Sequence, residues 1–310
     1  MENVQQFTTS TLRTAWAAQA RMHPLTSIGL GVAVLVVVAM LLLSVWQVLM
    51  GQADVALRLA MFGGFAAFAT TALGAVPAVG LHGLNQRLED SMLGMAAGMM
   101  LAASSFSLIL PGLESGTTLT GSDALGAATV VLGMTLGVLL MLGLDRFTPH
   151  AHVQTGPCGP ASDRVGRLWL FVFAIALHNL PEGMAIGVSF SQGDMAVGLP
   201  LTTAIALQDM PEGLAVAMAL RAIGLSPWRA VLLAAATGLM EPLGALLGVG
   251  LTSGLALAYP VGLGLAAGAM IFVVSHEVIP ETHRNGHQTP ATLGLMVGFA
   301  LMMVLDTALG

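Results

Sequence analysis

The residues best suited to chemistry form two copies of one polar motif within the apolar part of the chain. The first copy reads HNLPEG at 178–183 and the second reads QDMPEG at 208–213. Imidazole nitrogens, amide oxygens and carboxylates suit divalent metal ions of the zinc type. A single buried polar residue beside a proline has an ordinary structural explanation. A polar signature that occurs twice favours a metal-binding site instead.

Helical spacing brings the ligands of each motif onto one face. His178 and Glu182 are four residues apart, and Asn179 and Glu182 are three apart. Side chains at these spacings are neighbours on a helix surface, so the three groups adjoin one another. The second motif repeats this spacing with Gln208, Asp209 and Glu212.

Each motif also contains a proline that frees a backbone carbonyl. Pro181 lacks the N–H that would bond to the Leu177 carbonyl, and Pro211 leaves the Leu207 carbonyl in the same state. A freed carbonyl within a bilayer needs a donor, a water molecule or a cation. Interrupted helices near mid-membrane form ion sites in transporters, so the prolines agree with an ion-binding role.

A further carboxylate, Glu241, adjoins a proline in the sequence MEPLG at 240–244. For Glu241 alone, a structural hydrogen-bonding role explains the pattern equally well. Together, Glu182, Asp209, Glu212 and Glu241 would repel one another in a dry interior and hold protons. One divalent cation, or a pair of them, removes this conflict.

The ligand types indicate which metal is expected. Zinc, cadmium, iron(II) and manganese accept imidazole, carboxylate and amide ligands, whereas copper(I) prefers Cys and Met. Magnesium generally keeps several waters. The single cysteine, Cys158, excludes a disulfide within the chain and a Cys-based zinc cluster. We therefore expect zinc or a related ion as the bound metal, and no catalytic cofactor.

Composition places these motifs in a membrane. The chain has 310 residues, of which 56% are hydrophobic and only 8% are charged, and its mean hydropathy is +0.86. A soluble domain carries about a quarter charged residues, so this chain could not cover a surface that faces water. We expect an all-α, polytopic protein of the inner or plasma membrane. The net charge of −6 argues against nucleic acid as a partner.

Several stretches have the roughly 20 mostly apolar residues that a membrane-crossing helix needs. The nine predicted spans are 27–50, 55–81, 91–111, 123–146, 166–190, 196–220, 228–251, 258–279 and 290–309. Residues 1–26 form a polar N-terminal segment, and the longest loop, 147–165, contains His150 and His152. A solvated cytoplasmic linker is the favoured interpretation of this loop, and metal collection by its histidines is the alternative.

Arginine residues predict the orientation. All ten basic residues are Arg, and only Arg58 lies near the side opposite to the other nine. Arginine-rich loops face the cytoplasm. The N-terminus is therefore predicted inside the cell and the C-terminus outside.

Two other segments match each other weakly. AGMML at 97–101 precedes Pro111, and AGAMI at 267–271 precedes Pro280. In an alternating topology these spans enter the membrane from opposite sides, as in the inverted repeats of many secondary transporters. With HNLPEG, QDMPEG, MEPLG and AGAMIFVVSHEVIPE, the chain resembles the bacterial branch of the ZIP (Zrt/Irt-like) divalent-metal transporters over 55–309. The span 27–50 is an addition to the family pattern.

The resemblance implies an all-α core of eight helices in a 3+2+3 arrangement with inverted three-helix repeats. It also implies a homodimer that moves metal into the cytoplasm by alternating access. The implied metal site, often binuclear with Glu182, Asp209 and Glu212 as bridges, comprises His178, Asn179, Glu182, Gln208, Asp209, Glu212, Glu241 and Met100. An exit relay is implied at His276, Glu277, His283 and His287, and a solvated loop is an equal alternative for His283 and His287.

This sequence departs from the family at Gln208, where members usually carry His, which removes one nitrogen ligand. Two other functions are alternatives to transport. A membrane-embedded zinc hydrolase would need a motif such as HExxH and three firm ligands, and the sequence has no such motif. A metal sensor would need a soluble output domain, for which no segment is a candidate. Transport without enzymatic activity is therefore the predicted function.

Overall fold

A computed structural model gives the fold of the chain. The residues that it describes are 54–81, 83, 85–147, 150–152, 156–158, 167–252 and 256–309, with isolated positions between 17 and 50. Over these residues the chain folds into eight long helices, which confirms the predicted all-α, polytopic class. Seven of these helices are long and apolar enough to cross a membrane. The predicted span 27–50 falls largely outside the described residues.

Helices with a local interruption are numbered as one element. In chain order the helices are α1 Val55–Ala75, continued by a 3-10 turn at Val76–Val79; α2 Gln86–Thr120; α3 Asp123–Phe147; α4 Arg167–Ser189; α5 Met195–Ala222; α6 Pro227–Thr252; α7 Ala258–His283; and α8 Gln288–Leu309. A short antiparallel hairpin of β1 His150–His152 and β2 Gly156–Cys158 lies between α3 and α4. The predicted loop 147–165 thus contains two short strands.

Helix α5 corresponds to the predicted span 196–220, but it is not among the seven apolar helices. It has 28 residues, enough to cross a membrane. The second motif places Gln208, Asp209 and Glu212 within it, and these side chains lower its hydropathy. Gln208 and Asp209 are buried, so the helix keeps these polar groups away from lipid, where they would be expensive.

Prolines account for the irregular turns in α2 and α7. Helix α2 contains a π-helical turn at Ser104–Ile109 and α7 contains one at Val274–Val278, each just before a proline. A proline cannot donate to the carbonyl four residues earlier, and such sites favour wider helical turns. In contrast, α4 and α5 continue as regular helices through Pro181 and Pro211.

The helices pack as four close parallel pairs, which are α1 with α5, α4 with α6, α2 with α8, and α3 with α7. A Cβ atom at Gly98 of α2 would overlap the Leu295 carbonyl of α8. A Cβ atom at Gly268 of α7 would overlap the Met134 carbonyl of α3 in the same way. Small residues permit this close approach of backbones. The two weakly matching sequence segments therefore have the same packing role.

The four pairs form two groups of helices. Helices α1, α4, α5 and α6 make up the first group, and helices α2, α3, α7 and α8 make up the second. The groups meet chiefly where α2 packs on α5 and where α7 packs on α4. One large apolar cluster crosses this boundary and includes Met100, Ile186, Leu201 and Leu263. The motif helices α4 and α5 thus lie at the centre of the bundle.

Candidate metal centre

Four carboxylates meet where α4, α5 and α6 come together. Glu182 lies on α4, and Asp209 and Glu212 lie on α5; each offers an oxygen, and these three oxygens lie within 4.8 Å of one another. Glu241 of α6 is connected to α4 through Asn179, whose Nδ2 donates to Glu241 Oε1 at 3.3 Å. Glu182, Asp209 and Glu241 are buried, and Glu212 is half-buried. The structure therefore brings together the carboxylates that the sequence singled out.

The glycine that ends each motif seats a neighbouring helix against the centre. A Cβ atom at Gly183 would overlap the Glu241 carbonyl of α6. A Cβ atom at Gly213 would overlap the Thr71 carbonyl of α1. Because the backbones touch at these points, α6 and α1 are held against the two motif helices. The Pro-Glu-Gly sequence thus combines a carboxylate for the centre with a packing surface for the next helix.

In both Glu182 and Glu241, one carboxylate oxygen accepts hydrogen bonds from neighbouring side chains. Gln208 Nε2 donates to Glu182 Oε1 at 2.6 Å. Glu241 Oε1 accepts from Thr71 Oγ1 at 2.8 Å and from Asn179 Nδ2 at 3.3 Å. These bonds fix the orientation of both carboxylates and leave the second oxygen of each for another partner.

Other oxygens of the cluster have no hydrogen-bond partner within the part of the chain that the structure describes. They are Asn179 Oδ1, Glu182 Oε2, Gln208 Oε1, Asp209 Oδ2 and Glu241 Oε2. A buried acceptor without a donor costs about 1–3 kcal/mol, and a charged one costs more. Buried polar groups are nearly always satisfied in proteins. Because all of these unsatisfied atoms are acceptors, the cluster has the chemistry of a cation site.

A cavity connects the centre to one end of the helices. His178, Glu212 and Glu277 line it, and its volume of about 80 Å³ is enough for several water molecules. His178 Nε2 lies 2.8 Å from Glu277 Oε2, a contact that joins α4 to α7 across the two helix groups. Glu89 and Glu281 form the far part of the wall, near the residues where α2 begins and α7 ends.

The residues of the predicted exit relay lie in different environments. Glu277 lines the cavity, as described above. His276 stacks on the ring of a phenylalanine, and His283 Nδ1 lies 2.9 Å from a backbone carbonyl of its own helix. His287 Nδ1 lies 2.8 Å from Asp90 Oδ2. The structure therefore places one of the four predicted exit residues on the cavity wall.

Two further predictions concern Met100 and the histidines of the loop 147–165. Met100 lies in α2 and is buried in the large apolar cluster. His150 and His152 belong to strand β1, and their side chains lie outside the described part of the structure. The prediction for these histidines therefore stays a prediction.

Sequence analysis missed three residues near the centre and its cavity, namely Thr71, Glu89 and Glu281. Thr71 stands in an apolar run, where a threonine normally bonds to its own helix, and no pattern marks it. Glu89 and Glu281 lie near helix ends, where charged residues are common. The spacing of Glu281, four residues after Glu277, was a usable signal because such residues share a helix face.

Comparisons with known proteins identify the family of the chain. Residues 154–306 match the family described as ZIP Zinc transporter. The chain is 65% identical over 299 residues to the zinc transporter ZIPB of Bordetella bronchiseptica, an alignment that covers 96% of this chain and 97% of that protein. It is 43% identical over 241 residues to the zinc transporter GufA of Myxococcus xanthus, covering 77% of this chain and 94% of that protein.

A more distant relative is the zinc transporter ZIP11 of Homo sapiens. It is 30% identical over 335 aligned residues, which cover 81% of this chain and 97% of that protein. These alignments cover most of the chain, and the family match at 154–306 includes the helices that carry the carboxylate cluster. The protein therefore belongs to the ZIP family of zinc transporters.

Proposed function

We propose that this protein carries divalent metal ions across the membrane, with zinc as its principal substrate and cadmium, iron(II) and manganese as alternatives. The observation that carries the proposal is the cluster of buried oxygens without donors, contributed by Glu182, Asp209 and Glu241. Buried charges in a membrane bundle need a counter-charge. A passing divalent cation supplies it, and the zinc transporters among the relatives support the choice of metal.

The substrate site is proposed to be binuclear. Glu182, Asp209 and Glu212 would bridge two ions, because their oxygens lie within 4.8 Å of one another and one carboxylate can bind two cations. The remaining proposed ligands are His178, Asn179, Gln208, Glu241 and Met100. This assignment agrees with a site rich in oxygen, which suits zinc and the other ions named above.

The cavity supports movement of metal towards the cytoplasm. It leads from His178 and Glu212 towards the ends of α2 and α7. Arg87, in the first turn of α2, and Arg284, directly after α7, lie at this end, and the arginine-rich ends of membrane helices face the cytoplasm. We place the N-terminus inside and the C-terminus outside on this basis. Glu277 would be the first step of the exit relay, followed by His276, His283 and His287.

Alternating access is supported by the division into two helix groups. Every proposed ligand except Met100 lies on α4, α5 or α6, all of which belong to the first group. A shift of this group along the second would move the ions and their ligands together. The matching glycine contacts of Gly98 and Gly268 support a 3+2+3 core with inverted three-helix repeats. The homodimer and the additional first helix, 27–50, are part of the same proposal.

The test is zinc uptake into proteoliposomes that contain a metal-sensitive dye. The variants are Glu182→Gln and Asp209→Asn, and the matched control is Asp123→Asn, which changes an exposed carboxylate in the first turn of α3. We expect uptake by the parent and the control, and a loss of at least about tenfold in both cluster variants, the range seen when metal sites are disturbed.

Two results would contradict the proposal. If the folded parent protein binds zinc but does not take it up, the protein is not a carrier. A metal sensor or a zinc hydrolase would then be the better interpretation. If both cluster variants take up zinc as fast as the parent protein, the ions follow another path.

A further inference from the structure

We propose that Thr71 is a positioning residue of the metal centre, which holds the Glu241 carboxylate so that its Oε2 atom faces a bound cation. This inference rests on the proposed function, since it requires that the centre bind metal. Thr71 belongs to α1, which supplies none of the ligands named above, and its role would be to orient a ligand and not to bind the ion.

The hydroxyl of Thr71 has two acceptors within reach. It lies 2.8 Å from Glu241 Oε1 and 3.2 Å from the Ala67 carbonyl of its own helix. A hydroxyl has a single hydrogen to donate, and a carboxylate at the shorter distance is the stronger acceptor. Thr71 is only 4% exposed, so water does not compete for this hydrogen. The bond to Glu241 is therefore the preferred one.

The bond leaves Glu241 with two unequal oxygens. Its Oε1 atom accepts from both Thr71 and Asn179, whereas Oε2 is buried and has no partner among the described residues. Two donors on one oxygen fix the rotation of the carboxylate and leave the lone pairs of the other oxygen free. Groups that orient a ligand in this way commonly tune metal affinity.

Backbone packing places Thr71 for this contact. The Thr71 carbonyl lies against Gly213 of the second motif, just as the Glu241 carbonyl lies against Gly183 of the first. Thr71 thus occupies on α1 the position that Glu241 occupies on α6. Each motif glycine fixes its neighbouring helix, so the hydroxyl and the carboxylate are brought together by the main chain and not by flexible side chains.

The test uses the purified full-length protein and zinc itself. The principal variant is Thr71→Val, which removes the hydroxyl and keeps the shape of the side chain. Thr252→Val is the matched control, because Thr252 is a similarly buried threonine whose hydroxyl, among the described residues, bonds only within α6. Zinc titration would give the dissociation constants and the number of ions bound, and proteoliposome uptake would give KM.

We expect Thr71→Val to raise the dissociation constant of the zinc ion bound by Glu241, and the KM for uptake, by about tenfold or more. Thr71→Ser should restore both values to near those of the parent, and Thr252→Val should leave them unchanged. In a Glu241→Gln background Thr71→Val should have no further effect on zinc affinity, because the orienting contact has already lost its charged acceptor. A merely structural threonine would affect both backgrounds equally.

If Thr71→Val has the same zinc affinity and the same KM as the parent protein, the inference is overturned, whatever the thermal stability of the variant. If Thr71→Val does not fold, comparison of Thr71→Ala with Thr71→Ser decides the same question, and equal zinc affinity in these two variants would also overturn it. A parent that binds no zinc would refute the proposed function itself, and the role of Thr71 with it. These outcomes are distinct because the first two require a parent that binds zinc.

Discussion

The contact between Gly183 and α6 gives a direct test of how the metal centre is built. In Gly183→Ala the new methyl group would overlap the Glu241 carbonyl. Non-bonded heavy atoms pack at about 3.5 Å, so α4 and α6 would have to separate by more than about 1 Å. Overpacking of this kind typically costs about 1–3 kcal/mol of unfolding free energy. The same separation would carry Glu241 away from Glu182.

Gly183→Ala should reduce the rate of zinc uptake by a larger factor than its loss of unfolding free energy alone would explain. A displacement of about 1 Å in a preorganised site can reduce its rate by on the order of 100-fold. Gly143→Ala is the control, because Gly143 lies within helix α3 and a Cβ atom there would meet nothing within 4 Å. Replacing glycine by alanine at such a site should stabilise the helix by about 0.5–1 kcal/mol.

Zinc uptake in proteoliposomes and thermal unfolding in detergent measure the two effects separately. We expect Gly183→Ala to melt at a lower temperature and to lose nearly all uptake, while Gly143→Ala keeps parental uptake and melts at or slightly above the parental temperature. Parental uptake by Gly183→Ala would refute the reasoning, because it would show that ligand geometry at Glu241 does not depend on this contact.

Two further contacts should affect stability at the end of the bundle where the cavity emerges. Asp90 is buried and accepts hydrogen bonds from His287 and from two amide side chains. Asp90→Ala should therefore lower the unfolding free energy by about 2 kcal/mol and the melting temperature by several degrees. An unchanged melting curve would contradict this prediction. Arg221 donates to two carbonyls at the end of α1, one of them that of Leu81. Arg221→Ala should therefore lower the unfolding free energy by a similar amount. The control Arg229→Ala, at an exposed position, should leave it unchanged. Equal melting temperatures of the two arginine variants would refute the role of this contact.

Sequence reasoning succeeded where local spacing decides the outcome. The membership in the ZIP family is confirmed by the relatives, and with it the prediction that the chain is not an enzyme. Glu182, Asp209 and Glu212 were predicted to lie together, and their oxygens lie within 4.8 Å of one another; that they bind metal stays a prediction. This worked because ligands on two helices with the same motif follow the helical repeat, which is a property of the local sequence.

The rest of the site depends on contacts between distant parts of the chain. Thr71 and Glu241 are far apart in sequence, and their bond exists only because α1 and α6 are both seated on motif glycines. The contact of His178 with Glu277 likewise joins the two helix groups. Spacing within one helix contains no information about such pairs. The same limit explains why Glu89 was missed, since only the packing of α2 against α5 brings it to the cavity.

The backbone contacts around the two motifs are more symmetric than the side chains that these contacts position. Gly183 and Gly213 seat their neighbouring helices in the same way, yet the seated residues are Glu241 in one case and Thr71 in the other. The motifs likewise pair a histidine with a glutamine at their first position. Repeated backbone contacts therefore position the ligands, and the differences between side chains make the two halves of the centre unequal. On the proposed function, this inequality lets one symmetric scaffold bind two ions differently, because His178 lines the described cavity whereas its counterpart Gln208 bonds to Glu182.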